Sequence, residues 1–267
     1  MDHGLRRRRP HRAGGERSAS RTPPSGGVFA VTGWRGLQAL HRWLYPPRCL
    51  LCEAPGQVIA GQPCDLCAAC RADLARNASA CERCAAPVAR PGQCPRCQLK
   101  PPPFDAAVAP FLYQLPIDGL VKGFKFGGRR DYGRLLAQLF AAAVTEPAAQ
   151  ADYVVPVPLH PERERQRGFN QSLVLARALR GGAPVRATLL ARVKPTAAQS
   201  GLTRPQRRGN VRNAFAVTNG GLRGQSIMLI DDVLTSGSTV SAATQALKQA
   251  GAGVVTVAAL ARAKPPR

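Results

Sequence analysis

Residues 227–239 read Ile227-Met228-Leu229-Ile230-Asp231-Asp232-Val233-Leu234-Thr235-Ser236-Gly237-Ser238-Thr239. An apolar run of strand length ends in two adjacent acids. A loop of small hydroxyl residues around one glycine then enters a helix that carries Val240, Ala243, Leu247 and Ala250 on one face. The loop has the composition of a phosphate cradle: Gly237 permits close backbone approach, the amides of Ser236 to Thr239 aim at an anion, and a helix N-terminus favours negative charge. No Gly-Lys-Ser or Gly-Lys-Thr closes the loop, so it is not a Walker A loop. Acids placed directly before the loop are suited to accept hydrogen bonds from sugar hydroxyls. An N-capping hydroxyl after an ordinary strand accounts for Ser238 but leaves the paired acids unexplained.

Outward from this stretch, strand and helix alternate. Val254 to Leu260 reads as the next strand, and Tyr153 to Val157 as an earlier short buried one, followed by a charged loop and a helix from Ser172 to Leu179 closed by Gly181 and Gly182. Further upstream, Ile117, Leu120, Val121 and Phe124 mark one helix face, and Tyr132, Leu135, Leu136, Leu139 and Phe140 a second. Alternating apolar positions predict one strand over Ala107 to Tyr113. The pattern implies an α/β fold with a parallel sheet flanked by helices.

All nine cysteines fall between Cys49 and Cys97. Eight form four CxxC pairs, Cys49 with Cys52, Cys67 with Cys70, Cys81 with Cys84 and Cys94 with Cys97, and Cys64 is left over. Two knuckles of this kind complete a tetrahedral four-thiolate Zn²⁺ site. Sequential pairing gives CxxC-x14-CxxC and CxxC-x9-CxxC, and an interleaved pairing is equally compatible with the spacing. With every ligand a protein thiolate, the metal is closed to catalysis and structural in role.

Composition bounds the rest. Thirty-eight Lys and Arg stand against 15 acids in 267 residues, a formal net charge of +23, which calls for an anionic substrate or partner. The longest apolar stretches are too short to span a bilayer, so membrane insertion is not expected. The first thirty residues hold no continuous hydrophobic segment, and clustered thiols suit a reducing compartment, so a cytoplasmic location is expected. The expected organisation is a disordered basic tail over 1–33, a zinc-binding module over 34–100 opening with an amphipathic helix from Trp34 to Tyr45, and an α/β domain over 101–267.

The strand, acids and loop resemble the ribose-phosphate motif of type I phosphoribosyltransferases. Three further segments narrow the likeness: Val155 to Gln171, with His160, Arg163, Arg165, Arg167, Gly168 and Asn170; Lys194 to Leu202; and Arg207 to Phe215, with Asn210 and Asn213. Together with the CxxC pairs they resemble the ComF family, linked to DNA uptake in natural competence and to use of external DNA. The resemblance implies that Asp231 and Asp232 hold the ribose hydroxyls of phosphoribosyl pyrophosphate, that Leu234, Thr235, Ser236, Gly237, Ser238 and Thr239 wrap its 5-phosphate, and that Mg²⁺ accompanies the substrate. Lys194 is grouped with the catalytic residues.

Displacing pyrophosphate builds negative charge on the leaving group, and Arg163, Arg165 and Arg167, on the loop after the Tyr153 strand, suit its stabilisation. The segment from Lys194 to Asn210 reads either as a cover over the site or as a solvated hairpin. His160, followed by proline at a strand end, reads as a turn residue. The competing function is a nucleic-acid-binding adaptor of DNA uptake that contacts single-stranded DNA and whose phosphoribosyl site senses ligand or is idle. Against it, aromatics make up only 5% of the chain and none interleave with basic residues among the cysteines.

Overall fold

The computed structural model describes residues 46–59, 61–179, 182–193, 214–218 and 220–264. The tail over 1–33, the helix expected over Trp34 to Tyr45, the glycine stop at Gly181 and the segment from Lys194 to Asn210 lie outside the described residues.

A small hairpin of β1 (Gln57–Ile59) and β2 (Gln62–Cys64) and two short helices, α1 (Ala68–Ala72) and α2 (Pro95–Leu99), carry the cysteines. Then come β3 (Ala106–Val108), β4 (Phe111–Leu112), α3 (Ile117–Phe126), α4 (Arg130–Ala149), β5 (Tyr153–Pro156), α5 (Pro161–Arg167) and α6 (Gln171–Ala178). They are followed by β6 (Leu190–Arg192), β7 (Phe215–Val217), β8 (Ile227–Leu234), α7 (Ser238–Gln249) and β9 (Val255–Arg262). The main sheet runs β3-β9-β8-β5, all parallel, with β4 also beside β9. Strands β6 and β7 form a separate antiparallel pair.

The sheet sorts its side chains with period two. From β8, Met228 and Ile230 enter one core and Ile227 and Leu229 the other; from β9, Ala258 and Leu260 enter the first and Val255, Val257 and Ala259 the second. The first core is completed by α3, α4 and α6 and takes in Cys49, Leu66, Cys67 and Leu74. The second is completed by α7 and the β6–β7 pair and takes in Ala85.

Three elements differ from the sequence reading. The strand expected over Ala107 to Tyr113 is broken at Ala109 and Pro110, because proline has no N–H to give a ladder; the Pro110 carbonyl instead accepts from the amide of Asn77 at 2.9 Å. The strand expected to end at Ile230 runs on through both acids to Leu234, held by β9 up to the pair Leu234 with Arg262. The charged loop after β5 is the helix α5. Its own signals account for it: Pro161 in the first turn, Glu162 and Glu164 near the N-terminus, Arg165 and Arg167 near the C-terminus, and Gly168 at φ 80° as the left-handed stop. His160 caps this helix, its Nδ1 accepting from the Glu162 amide at 3.4 Å, in keeping with a turn residue.

Candidate functional site

A cleft of about 710 Å³ opens at the C-terminal end of β8, the edge where parallel α/β sheets bind their ligands. Asp231, Asp232, Leu234, Thr235, Gly237, Ser238 and Thr239 line it from β8 and the start of α7. Gly237 sits at φ 76°, a conformation that a side chain would strain, and turns the chain from strand into helix. Ser236 and Ser238 are joined through their hydroxyls at 2.8 Å, and Ser236 Oγ accepts from the Ser238 amide at 3.3 Å. Leu234 presents no side chain to a ligand in the ordinary sense, being 2% exposed; it lines the cleft through the strand end while its side chain packs in the second core.

The two acids have different surroundings. Asp232 is paired with Lys125 of α3, and its Oδ1 accepts from the Val233 amide at 2.9 Å. Asp231 accepts on Oδ1 from the Asp232 amide at 2.9 Å and from the Ser172 hydroxyl at 3.3 Å. Burial first, and the neighbouring Asp232 carboxylate second, push the Asp231 carboxyl up to about 7, against the pull of Lys125.

The cleft is also lined by Lys125, Arg163, Arg167 and Arg192. Arg167 donates to Gln171 Oε1 at 2.8 Å and lies 5.1 Å over the Phe126 ring. Burial holds the Arg167 and Arg192 guanidiniums below their ordinary range, with Arg163 adding repulsion to both while Asp232 and Asp231 respectively oppose it. Among the described residues four cations and two carboxylates line one cleft, a balance that favours a polyanionic occupant. Arg165 is not among the lining residues. On a helix, Arg163 and Arg167 share a face at i and i+4 whereas Arg165 points elsewhere, and it is exposed. Lys194 lies outside the described residues.

Sequence reasoning missed Lys125, Ser172 and Arg192. Lys125 reads as the polar face of an amphipathic helix, and Arg192 as a charge near a strand end. Only the path of the chain brings them to β8. A buried Asn170 places Ser172: its Oδ1 caps α6 by accepting from the amides of Ser172 and Leu173 at 3.0 and 3.4 Å, while its Nδ2 donates to the Val157 carbonyl at 3.1 Å, fixing α6 beyond the end of β5.

Away from the cleft, the thiols form two groups, Cys49 with Cys52, Cys67 and Cys70, and Cys81 with Cys84, Cys94 and Cys97, all sulfurs in each within 4.8 Å of one another. The pairing is therefore sequential rather than interleaved. A tetrahedral zinc with Zn–S bonds near 2.3 Å needs sulfurs roughly 3.8 Å apart; Cys52 and Cys67 lie at 3.6 Å and Cys84 and Cys94 at 3.8 Å. Burial raises the Cys49 and Cys81 thiols, but backbone amides donating to them outweigh it and bring them to about 6 and about 7, whereas burial and the neighbouring sulfurs push Cys52, Cys70, Cys84 and Cys97 up. The residues fit structural zinc. Cys64 is buried apart from both groups.

Among the described residues no helix is long and apolar enough to cross a membrane. The double zinc ribbon domain family matches residues 40–98, and the phosphoribosyl transferase domain family matches residues 165–267. DNA utilization protein YhgH of Salmonella typhimurium is 34% identical over 225 residues, spanning 81% of this chain and 97% of its own length. Competence protein F of Haemophilus influenzae is 30% identical over 226 residues, with the same 81% and 97% coverage. Among solved structures, a purine phosphoribosyltransferase from Pyrococcus horikoshii matches with 17% identity, 49% of this chain, 73% of that one and a TM-score of 0.31. With paired cysteine centres ahead of a strand, acids and loop of the phosphoribosyltransferase kind, and alignment along nearly the full length of both relatives, the chain belongs to the ComF family of competence and DNA-utilization proteins.

Proposed function

We propose that this chain binds phosphoribosyl pyrophosphate with Mg²⁺ in the cleft and transfers the phosphoribosyl group to a nitrogen acceptor, in the use of external DNA or in nucleotide salvage. The observation that carries the reading is the juxtaposition at the end of β8 of two acids, a hydroxyl-rich loop at a helix N-terminus and four cations. Asp231 and Asp232 accept from the ribose 2- and 3-hydroxyls, and Thr235 to Thr239 surround the 5-phosphate. Arg163, Arg167 and Arg192 take the pyrophosphate, whose negative charge grows as the bond to the ribose carbon breaks. Lys125 leaves Asp232 for the pyrophosphate when the ribose hydroxyls arrive. Mg²⁺ bound with the substrate would neutralise charge on its phosphate oxygens, and Asp231 and Asp232 are the carboxylates of the cleft that would be available to it. Zinc in both cysteine centres holds the amino-terminal fold.

Ligand with Mg²⁺ at about a hundred times its dissociation constant is expected to stabilise the protein by roughly 2.7 kcal/mol, read as a thermal shift. Replacing both acids, Asp231→Asn with Asp232→Asn, keeps their shape but weakens the acceptors, so the variant folds and loses the shift. If the wild-type protein shows no shift, or the double variant shifts equally, the enzyme reading falls and the nucleic-acid adaptor takes its place. The adaptor predicts a steep salt dependence of single-stranded DNA binding.

A further inference from the structure

Arg262, the last residue of β9, is 3% exposed, and every oxygen it donates to is a backbone carbonyl. Its Nη1 reaches Leu234 at 2.6 Å, Ala263 at 3.1 Å and Thr235; its Nε reaches Cys84 at 3.1 Å. One planar group thus joins a knuckle of the second cysteine centre to the two residues where β8 gives way to the phosphate loop. A buried guanidinium needs a counter-charge, yet no carboxylate accepts from it among the described residues. Four thiolates around one Zn²⁺ carry a net double negative charge, so a filled second centre supplies what Arg262 lacks.

We propose that Arg262 is a positioning residue that couples the second cysteine centre to the phosphate loop, so that zinc bound there holds the Leu234 and Thr235 backbone in the conformation that receives a phosphate. That the loop receives a phosphate rests on the function proposed above. Among the described residues the first centre has no such connection: the polar contacts beside it run to α4, through Arg134 to Asp65 and Gln138 to the Pro63 carbonyl. Coupling of binding equilibria is reciprocal, so phosphoribosyl pyrophosphate must tighten zinc in the second centre by the factor that zinc tightens the ligand.

The test uses the full, zinc-loaded chain with release of zinc to a chelator followed in time. Arg262→Lys keeps the charge but cannot span Cys84 and the loop with one fork, and it is expected to weaken zinc retention in one of the two centres by about tenfold or more while the other is unchanged. Unchanged release from both centres overturns the proposal whatever the ligand does. A second arm needs no variant at Arg262. Phosphoribosyl pyrophosphate with Mg²⁺ is expected to slow release from that same centre in the wild-type protein, and Cys97→Ser is expected to weaken ligand binding more than Cys70→Ser. A thermal shift with the ligand but no change in zinc release, or equal effects of the two serine variants, overturns the coupling. No thermal shift at all overturns the function instead and leaves the Arg262→Lys release measurement to decide the strut.

Discussion

The two groups of four thiols are attached to the sheet in different ways. On the face of α3, α4 and α6, Cys49 and Cys67 are buried in one core with Leu66, Leu74, Phe111 and Leu135, and the added polar ties are exposed or partly so, such as Arg134 with Asp65 at 3.1 Å. On the other face, the second centre is joined largely by polar contacts. The Ala107 amide donates to the Glu82 carbonyl at 3.2 Å, Asn77 Nδ2 donates to Ala85 and Ala109 at 2.9 and 3.1 Å, and Arg262 spans to Cys84. Apolar packing yields gradually as area is lost, whereas a buried polar contact left with one partner costs the full desolvation of the other. Two ribbons of the same chemistry are therefore expected to fail differently, the first as part of a core and the second as a network.

The largest effect should come from removing the metal. Protein purified under reducing conditions is expected to contain about two zinc ions per chain by elemental analysis, one for each set of four thiolates. Because the first centre is packed into one core and the second is tied to the sheet by polar contacts, stripping zinc with a strong chelator should lower the melting temperature more than any single substitution. A metal-free protein that melts where the loaded one does would break the structural reading of both centres, and a single ion per chain would make the comparison one between a live centre and a vestigial one.

The strand with its acids and loop was legible because its chemistry is local: apolar run, acids, glycine and hydroxyls are contiguous, and the sheet follows from the alternation around them. The CxxC pairs were legible as zinc ligands for the same reason, while their pairing was open because spacing alone does not say which knuckles meet. What could not be read lies across the fold. Lys125 comes to Asp232 from the helix α3 more than a hundred residues earlier, and Ser172 comes to Asp231 from α6. Arg165 looked equivalent to its neighbours as long as the segment was a loop; once Pro161 and Gly168 bound a helix, i and i+4 share a face and i+2 does not.

A middle-sized effect should appear where the two faces meet, at the acids. The Asp231 carboxyl is raised to about 7 by burial and by Asp232, whereas in the unfolded chain it ionises near its ordinary value of about 3.9. The folded state thus holds a proton that the unfolded state has already lost. Stability contributed by the protonated form is fully present below the unfolded value and is lost as pH rises through about 7. The ligand-free wild-type protein is expected to fall in melting temperature relative to Asp231→Asn between about pH 4 and pH 7. Scans of both proteins across that window check it, and a difference that stays flat, or grows in favour of the wild type, would show that Lys125 and Ser172 already compensate the charge on Asp231.

The smallest effect separates the ninth cysteine from the other eight. Cys64 is 1% exposed, belongs to the first core and stands outside both thiol groups; burial first, and the Asp65 charge second, raise its thiol. It acts as a small apolar side chain at the end of β2, so Cys64→Ala removes packing without removing a ligand. The expected cost is about 1 kcal/mol, the order of one small group deleted from a core, with zinc content unchanged. Cys64→Ser should cost more, because its hydroxyl would be buried among apolar neighbours, at about 1–3 kcal/mol if it finds no partner. Denaturant midpoints with elemental analysis on both variants give the answer. Loss of an equivalent of zinc from Cys64→Ala would make Cys64 a participant in the first centre, and the contrast between a centre embedded in a core and one held by a network would have to be redrawn around five sulfurs rather than four.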